Sequence, residues 1–155
     1  MNRLVHLVFA ALLLVPAAGR AEQNHAWEVV CPIDETTGER QCYVSLFTAD
    51  KDRGAWLSVA VYILEGTHEI QVTGNGKNYD IAEINAGTDT TIVTDYCNGS
   101  YCIFVNAGDI VDQFVKGSRA FVRMTDGTDR ESLEERISLM GFTKAHREYL
   151  RVISR

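Results

Sequence analysis

Ala55-Trp56-Leu57-Ser58-Val59-Ala60-Val61-Tyr62-Ile63-Leu64 is almost wholly apolar, and whether it forms a helix or a strand decides the fold. Ten residues suit either. Val59, Val61, Tyr62 and Ile63 are β-branched or aromatic and favour a pleated strand. Both alternating faces are apolar, which places the strand deep in the molecule rather than at its rim. Downstream, Glu65-Gly66 turns the chain and Glu69–Thr73 alternates as a half-exposed strand. Upstream lie a charged loop over Ala49–Gly54 and a strand over Cys42–Phe47 with Cys42, Val44 and Leu46 aligned. Before these, His25–Cys31 reads as the first strand, with Trp27, Val29 and Cys31 on one face; Pro32 ends it and Asp34–Glu39 is a polar turn.

A second organising stretch is Asp95-Tyr96-Cys97-Asn98-Gly99-Ser100-Tyr101-Cys102-Ile103-Phe104-Val105. Asn-Gly tolerates the positive backbone angles of a hairpin turn. Strands over 90–97 and 101–106, joined by a four-residue loop from Asn98 to Tyr101, would set Cys97 opposite Cys102 at disulfide distance. A redox-active pair normally has two intervening residues and opens a helix, whereas four intervene here and the flanks read as strand. Asn98-Gly99-Ser100 also fits the acceptor pattern for N-linked sugar, but the pattern is short and frequent by chance, and the residues read as a plain turn.

The remaining chain continues in short elements. Gly74-Asn75-Gly76-Lys77-Asn78 lacks the Gly-Lys-Ser/Thr ending and following helix of a phosphate loop, so it reads as a hairpin turn. Tyr79–Ile84 is a strand and Asn85–Asp89 a turn. Asp109 is placed to cap a short helix running through Lys116, with Ile110, Val111, Phe114 and Val115 on one side and Gly117 as its stop. Arg119–Thr125 turns Ala120, Val122 and Met124 inward. Asp126-Gly127 then signals a hairpin, and Arg130–Leu139 is locally ambiguous; its place after a hairpin turn favours a strand ending at Ile137-Ser138-Leu139. Thr143 is expected to cap a terminal helix with Phe142, Ala145, Tyr149, Val152 and Ile153 on its apolar side. The sum is a mainly β fold, a disulfide-stapled β-sandwich or partly closed barrel of about eight strands with two short helices.

Residues 1–21 combine Met1-Asn2-Arg3, an apolar run from Leu4 to Val15 and a small-residue ending at Gly19 and Ala21, the pattern of a signal peptide cleaved near Ala21. Residues 22–155 then form a single domain. Of 15 basic and 21 acidic residues, only Arg3 and Arg20 fall in the leader, which leaves the mature chain at a net charge of −8. That charge argues against nucleic-acid binding. All four cysteines, Cys31, Cys42, Cys97 and Cys102, belong to the exported part. An even count in an oxidising compartment reads as disulfides, here Cys31–Cys42 and Cys97–Cys102, because each pair closes a hairpin-like loop. By loop entropy they contribute roughly 3 and 2 kcal/mol. A four-cysteine zinc site is the competing reading, and these spacings suit it poorly.

No metal site, cofactor or catalytic set is legible. His25, His68 and His146 are scattered in sequence, Ser58 lies in a strand rather than a Gly-x-Ser-x-Gly turn, and a carboxylate pair cannot be recognised without geometry. Lys144, Arg147, Arg151 and Arg155 recur at helical spacing and form a candidate face for weak peripheral docking to an anionic surface; positive charge also suits the carboxyl end of a helix.

With these pieces located, the chain resembles the invasion-associated locus B family of exported bacterial proteins. The resemblance rests on Trp27-Glu28-Val29-Val30-Cys31, on Cys42, on the Cys97–Cys102 hairpin and on Ser138-Leu139-Met140-Gly141-Phe142. It implies a periplasmic, cell-surface or secreted protein, connected in some members with entry into host cells, and it carries no catalytic residues. Residues 75–92 depart from the Pro-Leu-Gly-like segment and Gly-Val strand expected there. The functional expectation is a non-catalytic module binding an envelope or host-surface protein or glycan, with Asn98, Gly99, Ser100 and Tyr101 as candidate binding loop. The alternatives are a small periplasmic enzyme or enzyme inhibitor, or a structural envelope component.

Export predicts that intact-mass analysis of the recovered protein finds Glu22 as the first residue and no thiol open to alkylation before reduction. A chain still starting at Met1 would contradict the cleavage.

Overall fold

The computed structural model describes residues 26–50, 52–75, 78–127 and 132–155. The leader over 1–21 and its cleavage site, the start of the first strand at His25, and parts of the expected charged loop and of the turns after Gly74 and Asp126 lie outside the described residues. In chain order the elements are β1 (Glu28–Val30), β2 (Tyr43–Asp50), β3 (Ala55–Leu64), β4 (Thr67–Gly74), β5 (Ile81–Asn85), β6 (Ile92–Thr94), β7 (Cys97–Asn98), β8 (Tyr101–Phe104), α1 (Gly108–Lys116), β9 (Arg119–Thr125), β10 (Ser132–Ser138) and α2 (Phe142–Ile153). The strands form two antiparallel sheets, one ordered β1-β2-β3-β4-β8-β7 and the other β10-β9-β5-β6. The architecture is the sandwich alternative, not a closed barrel.

The apolar decapeptide is β3, paired along its length with β2 and β4. Only one of its faces enters the core. Leu57, Val59 and Val61 are fully buried together with Val44 and Leu46 of β2, Ile70 and Val72 of β4 and Cys102 of β8. The second sheet meets them with Ala82, Ile84, Val122, Met124 and Ile137. Trp56, Ser58, Ala60 and Tyr62, expected to be equally deep, sit on the opposite face and are half-buried. Small residues and rings with polar tips count as apolar in a run yet tolerate a partly wet surface. The sheets pack tightly at Gly74, where a side-chain carbon would fall 2.7 Å from Leu133 of β10 and 3.0 Å from the Tyr79 hydroxyl.

The expected strand over 90–97 is two strands in different sheets. β6 pairs with β5, whereas β7 pairs with β8. The corner at Asp95-Tyr96 is held by Cys97 N–H donating to the Asp95 carbonyl, 2.9 Å, and Thr94 Oγ1 donating to the Ile103 carbonyl, 2.8 Å. The loop also shortens to two residues: Asn98 pairs with Tyr101, and Gly99, not Asn98, takes the positive φ of +63°, as a glycine-first two-residue hairpin requires.

Both helices start without the expected side-chain caps. Asp109 lies inside the first turn of α1, where its charge complements the helix amino end. Thr143 lies inside α2, which starts after Gly141 at φ +87°, and its hydroxyl donates instead to the Val115 carbonyl of α1, 3.2 Å. Val115 and Ile153, expected inward, are 38% and 45% exposed. The helices fill one end of the sandwich through an aromatic cluster in which Trp27 meets Phe142 edge-on at 4.9 Å between centroids and Phe142 meets Phe114 at 5.3 Å. Trp27 Nε1 donates to the Ser138 carbonyl, 2.8 Å, and the Tyr149 hydroxyl accepts the Ile63 N–H, 2.7 Å.

The bridges are Cys31–Cys42 and Cys97–Cys102, with Cα separations of 4.1 and 4.0 Å. They tie β1 to β2 and β7 to β8, so each secures one outer edge of the larger sheet. The second lies against the core, with Cys102 fully buried.

Trp27→Ala is expected to cost about 3–5 kcal/mol, the range for truncating a buried aromatic. Tyr149→Phe, which leaves the Ile63 N–H unpaired, is expected to cost about 1–3 kcal/mol. Urea unfolding of the oxidised protein measures both.

Candidate functional site

The outward face of the larger sheet carries a row of short side chains across its central strands. Ser45 lies beside Ala60, and Ala60 beside Gln71; in the next row Phe47, Ser58, Thr73 and Tyr101 succeed one another across β2, β3, β4 and β8. Side chains on one sheet face at adjacent register positions are neighbours, so the short ones make a trough. Tyr43 and Tyr62 stand at one end. At the other, Phe47 and Trp56 stack with centroids 5.9 Å apart. The cleft has a volume of 680 Å³ and is rimmed by Arg40-Gln41-Cys42 and by Tyr149 and Ile153 of α2. The Cys31–Cys42 bridge anchors the first rim to β1.

Tyr62 is the most perturbed group in the cleft. Burial, followed by hydrogen bonding to the Glu69 carboxylate and the charges of Glu69 and Tyr101, pushes its phenol up to about 12. The hydroxyl stays protonated across the ordinary pH range, its one hydrogen given to Glu69.

Of the candidate loop, Tyr101 reaches this outward face, and Asn98 Nδ2 donates to its hydroxyl, 3.3 Å. Gly99 and Ser100 are engaged elsewhere: their carbonyls accept the N–H groups of Tyr79 and Gly74, both at 2.9 Å, which ties the β4–β5 connection to the turn. Lys144, Arg147 and Arg151 line a separate open cleft with Glu148 on α2; Arg155 follows beyond the helix end. All four basic residues are exposed.

A further pair was not legible in the sequence. His68 on β4 and His146 on α2, 78 residues apart, bring their Nε2 atoms to 3.1 Å. His146 stacks on Phe142 at 5.5 Å and 13°. Burial lowers both imidazoles from their ordinary range; His68 lowers His146 further, while Asp112 of α1 opposes the shift on both. The signal was positional: His68 shares the inward parity of Ile70 and Val72, and His146 lies four residues after Phe142. Among the described residues no group of three histidine, cysteine or acidic side chains is placed to hold a metal.

The fold is found in a solved structure, invasion associated protein B from Bartonella henselae, with a TM-score of 0.64 at 15% identity over 84% of this chain and 96% of that one. No protein-family model matches the chain, and no curated protein does. The structural likeness concerns the fold, and it agrees with the resemblance carried by the residues. Two formed disulfides fit an oxidising, extracytoplasmic compartment, and no helix among the described residues is long and apolar enough to cross a membrane.

Subtracting the ultraviolet titration of Tyr62→Phe from that of the unmodified protein should show a phenol ionising at about 12. Glu69→Gln should lower that midpoint without restoring the ordinary value, because burial is the larger cause.

Proposed function

We propose that this chain is an exported, non-catalytic binding module of the bacterial envelope or cell surface, and that it takes a glycan partner in the trough on the outer face of the larger sheet. The trough itself carries the reading: a floor of Ser45, Ser58, Ala60 and Thr73 between the Tyr43 and Tyr62 rings at one end and the Phe47–Trp56 stack at the other, with a cleft of 680 Å³, which lies in the range of small-molecule sites. Hydroxyls and the Gln71 amide supply short donors and acceptors for sugar hydroxyls, and the Tyr43 and Tyr62 rings offer apolar faces with polar tips. Of the partner classes expected from the sequence, this chemistry favours a glycan over an apolar protein patch. The leader and the two bridges support export. The fold shared with an invasion associated protein supports a task at the cell surface.

Ala60→Trp fills the floor without touching the core face. Against immobilised envelope and host-surface glycans, the oxidised protein should bind, Ala60→Trp should lose at least about tenfold in affinity, roughly 1.4 kcal/mol, and Lys144→Glu with Arg147→Glu should bind unchanged. Absence of glycan binding by the folded protein, or full affinity in Ala60→Trp, would sink the proposal.

A further inference from the structure

We propose that His68 and His146 form a pH-sensitive latch that holds α2 against β4 while uncharged and releases it on acidification. The geometry carries the argument. With Nε2 atoms 3.1 Å apart, one ring donates and the other accepts, an arrangement open to two neutral imidazoles or to one neutral and one charged ring. Once both are protonated, each nitrogen carries a hydrogen, the bond is lost and two positive charges face each other across the seam. His146 is 8% exposed and His68 is half-buried, so water screens the contact only in part.

The surroundings offer little compensation. From α1, Asp112 is the charged group that acts on both rings. On α2 itself, Phe142 stacks on His146 and the Tyr149 ring lies at 6.3 Å, both uncharged. On β4, the inward neighbours Ile70 and Val72 are apolar, and the His68 carbonyl is occupied by the Ala107 N–H, 2.7 Å. One carboxylate faces two cations. The sign follows: both folded-state values lie below the unfolded value of about 6.5, so the folded state binds fewer protons. The stabilisation is complete above about 6.5 and is lost as pH falls through the lowered values. The element released is α2, whose Tyr149 both accepts from β3 and rims the outer cleft. Acid therefore loosens that rim, a consequence independent of what the cleft binds.

The test uses the full oxidised mature protein. Histidine ring titration by NMR should show His68 and His146 titrating as a coupled pair below the ordinary range, with free imidazole in the same buffer as a reference. Amide hydrogen exchange in α2, corrected for intrinsic rates, should accelerate at least about tenfold between roughly pH 7.5 and pH 5, where a histidine near 6.5 changes charge. The His68→Gln/His146→Gln double variant should lose most of that pH response. Independent titration near the ordinary value, or α2 exchange that is flat with pH, overturns the proposal. So does a folded double variant that keeps the full response. Should the double variant fail to fold, the ring titration of the unmodified protein still decides.

Discussion

Trp27 is the side chain on which the assembly of this molecule turns. Two stacked sheets leave an open end, and at that end the indole packs against Phe114 of α1 and Phe142 of α2 while its N–H reaches the Ser138 carbonyl of β10. One residue just ahead of β1 in the larger sheet thus touches both helices and the last strand of the smaller sheet. Burial of large rings supplies stabilisation in proportion to area, and the single directed hydrogen bond sets how the parts are oriented. The seat of α2 depends on this contact, and with it the meeting of His146 with His68 and the placing of Tyr149 under β3.

The two sites differ in what holds them. The outer trough is a property of the sheet: its floor follows from register, since Ser45, Ala60 and Gln71 are neighbours only because β2, β3 and β4 pair as they do. A one-residue slip would bring Val44, Val59 and Val61 to the surface, so the pattern that buries the core also keeps the trough polar. The histidine seam is instead a property of helix docking, sensitive to any shift of α2 over the sheet.

Strand content was legible from clean alternation in β4 and β9, from β-branched and aromatic residues in the apolar run of β3, and from the preceding hairpin turn in the ambiguous stretch that became β10. Local chemistry also located the nearest-neighbour cysteine bridges. The change of sheet at Asp95-Tyr96 was not legible, because Thr94 and Cys97 both suit a strand and only the tertiary acceptor at Ile103 breaks the run. The cap at Thr143 failed for the same reason, since its hydroxyl bonds the distant Val115 carbonyl. The trough escaped notice because serine, alanine and threonine in a strand carry no signal individually. The histidine pair needed two elements that the sequence separates by 78 residues.

The bridged edges have a meaning beyond stability. A sheet edge ordinarily exposes a ladder of unpaired N–H and C=O groups on which a foreign strand can grow. Here the outermost strands of the larger sheet are three and two residues long, and each is fastened to its inner neighbour by sulfur. An incoming strand finds too short a template to extend, and the fastened strand cannot peel away to expose the longer one behind it. Oxidation thus marks the point at which the sheet becomes closed to sideways growth, a change made by sulfur chemistry and not by any further folding of the chain.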